Sequence, residues 1–166
     1  MFEVIGVSGW LLAGWLWGDW RHWRKYESTI LYMILLDILY YYITCDHRLW
    51  SLMPQAPFKT ELLAILGEFT VFASAMLMFL GRFPKSLKKG SLWTLFWIVL
   101  FIVNEWVLYL TGTFRYSNGW TIFDSTIFCL VMFPMLKLHA AKPLLAYGLT
   151  IPFTFAYIYF YHVPVQ

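Results

Sequence analysis

A chain of 166 residues has room for one domain, yet 61% of this one is hydrophobic and only 13% charged, against about 45–50% and about 25% in ordinary soluble domains. A soluble fold of this size has too little interior for that much apolar surface, which excludes a soluble enzyme, a disordered chain and a basic nucleic-acid binder. The net charge of +3 says little as a sum; its distribution along the chain says more.

Six apolar stretches of near-membrane length occur, at about 4–20, 29–45, 61–81, 91–111, 120–136 and 143–162. The expected fold is therefore all-α, a single six-helix transmembrane bundle over 1–166. The first stretch carries Glu3, has no basic start and is followed by Arg21, Arg24 and Lys25, so it reads as a helix inserted N-terminus outward rather than a signal peptide. Within it, Gly14 and Gly18 form a GxxxG pair suited to close helix packing inside the molecule. The second stretch contains Asp37 and ends at the polar cluster Asp46-His47-Arg48. Pro54 and Pro57, Pro84 and Gly90, and Gly112 and Gly119 mark the next connections, and Pro143 suits the first turn of the last helix. Pro134 and Pro152 fall inside the fifth and sixth stretches, where proline bends a helix. Cys45 and Cys129 are too few for a disulfide framework or a zinc site, and both read as small buried hydrophobes. No cofactor is expected.

Charge sets the orientation. The first, third and fifth connections hold Arg21, Arg24, Lys25, Arg82, Lys85, Lys88, Lys89, Lys137 and Lys142, nine cations, against Arg48, Lys59 and Arg115 in the second and fourth. Positive loops face the cytoplasm, so both termini are expected outside a cell membrane. His22 and His139 sit in the basic connections and need no special role. Lipid is the expected surrounding partner, an oligomer is open, and no nucleic-acid partner is expected.

Of the nine acids, Asp37, Glu68, Glu105 and Asp124 lie inside apolar stretches, and Asn104 stands beside Glu105. No Lys or Arg lies mid-stretch to pair with them. Acids at such depth face a bundle interior or a wet cavity. At about 1.5 Å per residue, Asp37 lies about 12 Å from the outer end of its helix, Glu68 and Glu105 about 10 Å, and Asp124 about 6 Å. Steps of four, three and four place Asp37, Tyr41, Thr44 and Arg48 on one stripe. Asn118, Thr121, Asp124 and Ser125 give the fifth helix a polar side. These positions predict a polar pocket open outward, rimmed by Arg48, Lys59 and Arg115. Its candidate binding residues are Asp37, Tyr41, Glu68, Asn104, Glu105 and Asp124, and its candidate ligands a proton, a cation or a small polar molecule. The rival reading makes the acids interhelical hydrogen-bond ties in a structural or accessory subunit. An enzyme is the least supported class: Ser8 between Gly6 and Gly9, with His162 on the same side, lacks a visible oxyanion hole or orienting group.

Several composite motifs recur together: Trp23-Arg24-Lys25-Tyr26, Glu105-Trp106, Tyr116-Ser117-Asn118-Gly119-Trp120, Met132-Phe133-Pro134-Met135-Leu136-Lys137-Leu138-His139 and Lys142-Pro143-Leu144. From Trp23 to about Tyr147 the chain resembles an uncharacterised family of small multi-pass membrane proteins from spore-forming Gram-positive bacteria. The resemblance implies a helical membrane bundle and brings no activity or site residue with it.

Overall fold

The computed structural model describes residues 2–53 and 61–164. Pro54, Pro57 and Lys59, and the side chains of Glu3 and Glu61, lie outside the described residues. Six α-helices follow in order: α1 (Phe2–Trp17), α2 (Glu27–Ile43), α3 (Glu61–Phe79), α4 (Leu87–Leu110), α5 (Ile122–Ala141) and α6 (Pro143–Phe160). Helix is the form that satisfies every backbone polar group inside one apolar segment. A 3₁₀ turn, Trp20–Lys25, joins α1 to α2.

Three of these helices, α4, α5 and α6, are long and apolar enough to cross a membrane. The described apolar parts of α1 and α3 are shorter, Val4–Trp17 and Ile65–Phe79, and α2 has 17 residues with Glu27 and Asp37 among them. The expectation of six full-length spans is thus met only as an all-α chain with three such helices. Local hydrogen bonding shortens the first two: Gly18 leaves the helix after donating to Gly14 O, and Thr44 ends α2 with both its N–H and its hydroxyl on Tyr40 O. The outward faces carry Leu87, Leu144, Phe155 and Phe160, all more than half exposed. Apolar surface of this extent suits association with a membrane.

The core lies between α3, α4 and α5. Phe133 packs edge-on against Phe79 and Phe101, at ring separations of 5.1 and 4.9 Å, and Trp97 and Met76 complete the layer. α1 packs on α3, α6 on α5, and α2 on both α3 and α5. Consecutive helices run in opposite directions, so the connections gather at two ends. At one end Arg82 Nε donates to Trp17 O at 2.8 Å, Asp19 N donates to Leu77 O, and Lys137 Nζ lies 4.3 Å over the Phe83 ring. All nine cations of the odd connections belong to this end.

At the other end the second and fourth connections pair with each other. Residues Trp50–Leu52 (β1) and Phe114–Tyr116 (β2) form an antiparallel ribbon pairing Trp50 with Tyr116 and Leu52 with Phe114. Asn118 and Gly119, at φ of 50° and 81°, turn the chain out of the ribbon into Trp120, which is 3% exposed. Left-handed backbone at two successive residues suits Asn-Gly.

α1 approaches α3 closely at Gly14. A Cβ built on Gly14 falls 2.7 Å from Ser74 Cβ, whereas one on Gly9 meets nothing. Gly14→Leu is therefore expected to destabilise the protein by about 1–3 kcal/mol through overpacking, read as a lower melting temperature in detergent. Gly9→Leu on the same helix is expected to melt near the parent; equal melting of all three proteins would show that α1 does not depend on this contact.

Candidate functional site

Helices α2, α3, α4, α5 and α6 surround a cavity of about 270 Å³. Each contributes because an apolar helix packed at an angle to its neighbours leaves space where large side chains do not meet. Asp37 of α2, Glu68 of α3 and Glu105 of α4 all line this cavity, and Glu68 lies within electrostatic reach of the other two. The wall around them is mainly apolar, with Met33, Leu36, Phe72, Phe101, Met132 and Leu136. No Lys or Arg lines it among the described residues.

The three acids differ in how they are held. Glu105 Oε1 accepts a hydrogen bond from Tyr116 OH at 2.7 Å, and Ser125 stands next to both groups. Ser125 Oγ in turn accepts from Trp120 Nε1 at 2.8 Å. Burial, reinforced by the bond to Glu105, pushes the Tyr116 phenol well above its ordinary pKa, so it stays a proton donor. Asp37 Oδ2 and Glu68 Oε2 are shielded from solvent and have no hydrogen-bond partner. Buried polar atoms are almost always satisfied in folded proteins, and exceptions call for a cause.

A second cavity of about 150 Å³ lies on the far side of Glu68 and Glu105. Asn104 lines it, with Gly6, Val7 and Trp10 of α1, and Trp10 Nε1 donates to Asn104 Oδ1 at 3.2 Å. Glu68 and Glu105, with Phe72, Phe101 and Phe114, line both spaces and form the wall between them.

Two candidates stand apart. Asp124 lines neither cavity. It closes a capping box at the start of α5, accepting from Thr121 N at 2.8 Å and Thr121 Oγ1 at 2.6 Å, and it accepts from Tyr161 OH at 2.6 Å. Its place at the third position after a threonine is a capping signature legible in sequence. Tyr41 also lies outside both cavities, beneath the Arg48 guanidinium at 5.4 Å. Tyr40 lines the larger cavity instead, with Thr44. Residues 40 and 41 lie three and four places beyond Asp37, and helical spacing admits both.

The expected outward mouth is also different. Leu49, Trp50, Trp120 and Val163 roof the larger cavity at the ribbon end, and neither Arg48 nor Arg115 lines it. Burial of the Trp120 ring against Trp50 of the ribbon favours closure over a polar rim. Cys129 lines the cavity and is buried, whereas Cys45 is exposed beyond the end of α2. Ser8 is exposed on α1. His139, read from sequence as a connection residue, is 2% exposed, stacks on Tyr32 at 4.2 Å and has Nδ1 3.0 Å from Thr29 Oγ1. Among the described residues no group of three His, Cys, Asp or Glu side chains is placed to hold a metal ion.

No protein-family model matches this chain, and no curated protein or solved structure matches it.

Asp124→Ala is expected to cost about 0.5–2 kcal/mol through loss of the helix cap. Tyr161→Phe removes one of the same bonds, so the double variant is expected to lose less than the two single losses added together. Melting curves of the four proteins in detergent measure this; strict additivity would mean that the two side chains do not interact.

Proposed function

We propose that the chain is a six-span integral protein of the cell membrane, with both termini outside, that binds a proton, a cation or a small polar ligand at Asp37 and Glu68. The observation that carries the site is the pair of unpartnered carboxylate oxygens, one from α2 and one from α3, in one cavity with no cation lining it. A buried carboxyl group without a partner is costly, and a bound proton or cation removes that cost. The topology is supported by the nine cations at one end of the bundle, against Arg48 and Arg115 at the other among the described residues. The family of small multi-pass proteins that the chain resembles fits this reading and adds no activity to it.

A second reading has an observation of its own. Glu105 is tied to Tyr116, and Asp124 to Thr121 and Tyr161, as in a structural subunit whose acids fasten its elements together. The ligand reading therefore rests on Asp37 and Glu68, with Glu105 as the fixed wall beside them.

Cys45 tests the orientation directly, because it is exposed at the ribbon end. In intact cells an impermeant maleimide is expected to label Cys45. In a Cys45→Ser background it is expected to leave Ser86→Cys, at the basic end, unlabelled until the membrane is opened. The reverse pattern would invert the topology.

Asp37→Asn and Glu68→Gln test the site. In vesicles holding a pH dye, and in tryptophan-fluorescence titrations with methylammonium, each variant is expected to lose the parent's response while melting near the parent temperature. If these acids are ties, the variants instead lose stability, by about 0.6 kcal/mol each, with any parent response intact. A parent that conducts no protons and binds no methylammonium would remove the reading.

A further inference from the structure

We propose that the larger cavity binds a single-chain amphiphilic amine, which enters sideways from the bilayer between α2 and α6 and sets its ammonium group against Asp37 and Glu68. The proposal rests on the reading of these two acids as a ligand site and names the class of molecule that fills it.

The route follows from what closes the cavity and what does not. At the ribbon end Trp50, Trp120 and Val163 roof it. Toward the basic end Tyr32 OH and Thr150 Oγ1, 2.5 Å apart, join α2 to α6 across its floor. Between roof and floor, Leu39 of α2 and Phe153 of α6 both line the cavity, yet they are 37% and 39% exposed. A side chain that lines a cavity and also faces outward stands at a gap in the wall. Both residues lie on outward, apolar helix faces, so this gap opens toward lipid rather than water.

The occupant follows from the distribution of polarity. From the level of Tyr32 to that of Thr44 the cavity spans about 18 Å along α2. Its wall toward the basic end is Met33, Leu36, Met132 and Leu136, flexible and branched apolar side chains that accept a hydrocarbon chain. Asp37 stands near mid-height, about 8 Å along α2 from the level of Tyr32 and about 11 Å from that of Thr44. A short amphiphile entering from the side sets its head at that level and lays its tail against this apolar wall. An ammonium head brings three N–H donors to acceptors that lack them, whereas an alcohol brings one and a fatty acid brings a like charge. The rings of Trp50 and Trp120, also in the lining, add faces that attract a cation. A metal ion fits less well, since no group of three ligating side chains converges among the described residues. A volume of about 270 Å³ suits a chain of medium length rather than a two-chain lipid.

The test uses the full chain in phosphatidylcholine vesicles and an octylamine carrying a terminal diazirine. On irradiation the label is expected on cavity residues of α5 and α6. Unmodified octylamine is expected to displace it about tenfold more effectively than octanol at equal bilayer mole fraction, the ratio that a hydrogen bond to a charged group gives. Octanoate is expected to compete no better than octanol. Asp37→Asn and Glu68→Gln are expected to weaken the label about tenfold on the same basis. Leu39→Trp, a change at an exposed position, is expected to slow labelling by narrowing the gap. The competitor series uses the parent protein, so it stands even if an acid variant fails to fold. Equal competition by octanol or octanoate would overturn the amine as ligand. An unchanged labelling rate in Leu39→Trp would overturn the lateral route. If methylammonium binds from water through Asp37 while octylamine leaves the cavity unlabelled, the amphiphile falls and the acid site stands; if neither amine binds, both fall.

Discussion

The Tyr40 phenol holds the closed end of this bundle. Its hydroxyl donates to Trp50 O at 2.7 Å and accepts from the backbone N–H groups of Leu49 and Trp50 at 3.1 and 2.8 Å. A phenol has one proton and two lone pairs, so this one is fully used. Its ring lies 3.7 Å from the Trp50 indole and nearly parallel to it. The contact folds the segment after α2 back over its own helix, which sets β1 where β2 pairs with it. The ribbon then brings Tyr116 onto Glu105, and the turn that follows places Trp120 against Ser125. Roof, wall and fixed acid thus depend on one side chain. Removing its hydroxyl strands two backbone donors and one acceptor in an apolar setting, the expensive half of a hydrogen-bond exchange.

That arrangement divides the four acids of the apolar stretches by their neighbours. Glu105 and Asp124 meet elements that arrive from connections, the ribbon and the end of α6, and these bring phenol and hydroxyl donors. Asp37 and Glu68 lie deeper, where only helix faces meet, and the side chains opposite them are mostly Met, Leu and Phe. Donors come with irregular backbone near the ends and grow scarce toward the middle. The unpartnered oxygens lie where the chain supplies no donor.

The basic end is built differently. His139 is buried beneath α6, stacked on Tyr32, edge-on to Tyr147 and beside the Thr29 hydroxyl. Tyr32 reaches on to Thr150, so aromatic stacking and short hydroxyl contacts join α2, α5 and α6 below the cavity. The cations lie around this cluster and do not line the cavity. One end is covered by the ribbon and the other by the Tyr32–Thr150 contact, with His139 stacked on Tyr32 behind it.

Composition and charge order alone determined the all-α, membrane-suited character of the chain, the helix positions to within a few residues, and the division of basic from acidic regions. These properties belong to each segment separately: hydropathy and local charge are sums over neighbours in sequence. The capping role of Asp124 was legible too, in the spacing from Thr121, but its depth in an apolar stretch drew it toward the pocket instead. Only the tertiary structure decided that Tyr40 and not Tyr41 lines the cavity with Asp37, that Asn104 belongs to a separate space, that His139 is buried, and that aromatic rings line the cavity where an outward mouth is expected. Each of these depends on the rotation of one helix against another. With 3.6 residues per turn, positions three and four apart share a face, so spacing leaves the choice between them to packing. The ribbon is likewise a pairing of two distant connections, 50–52 and 114–116, and no local pattern records which distant strand a short strand will meet.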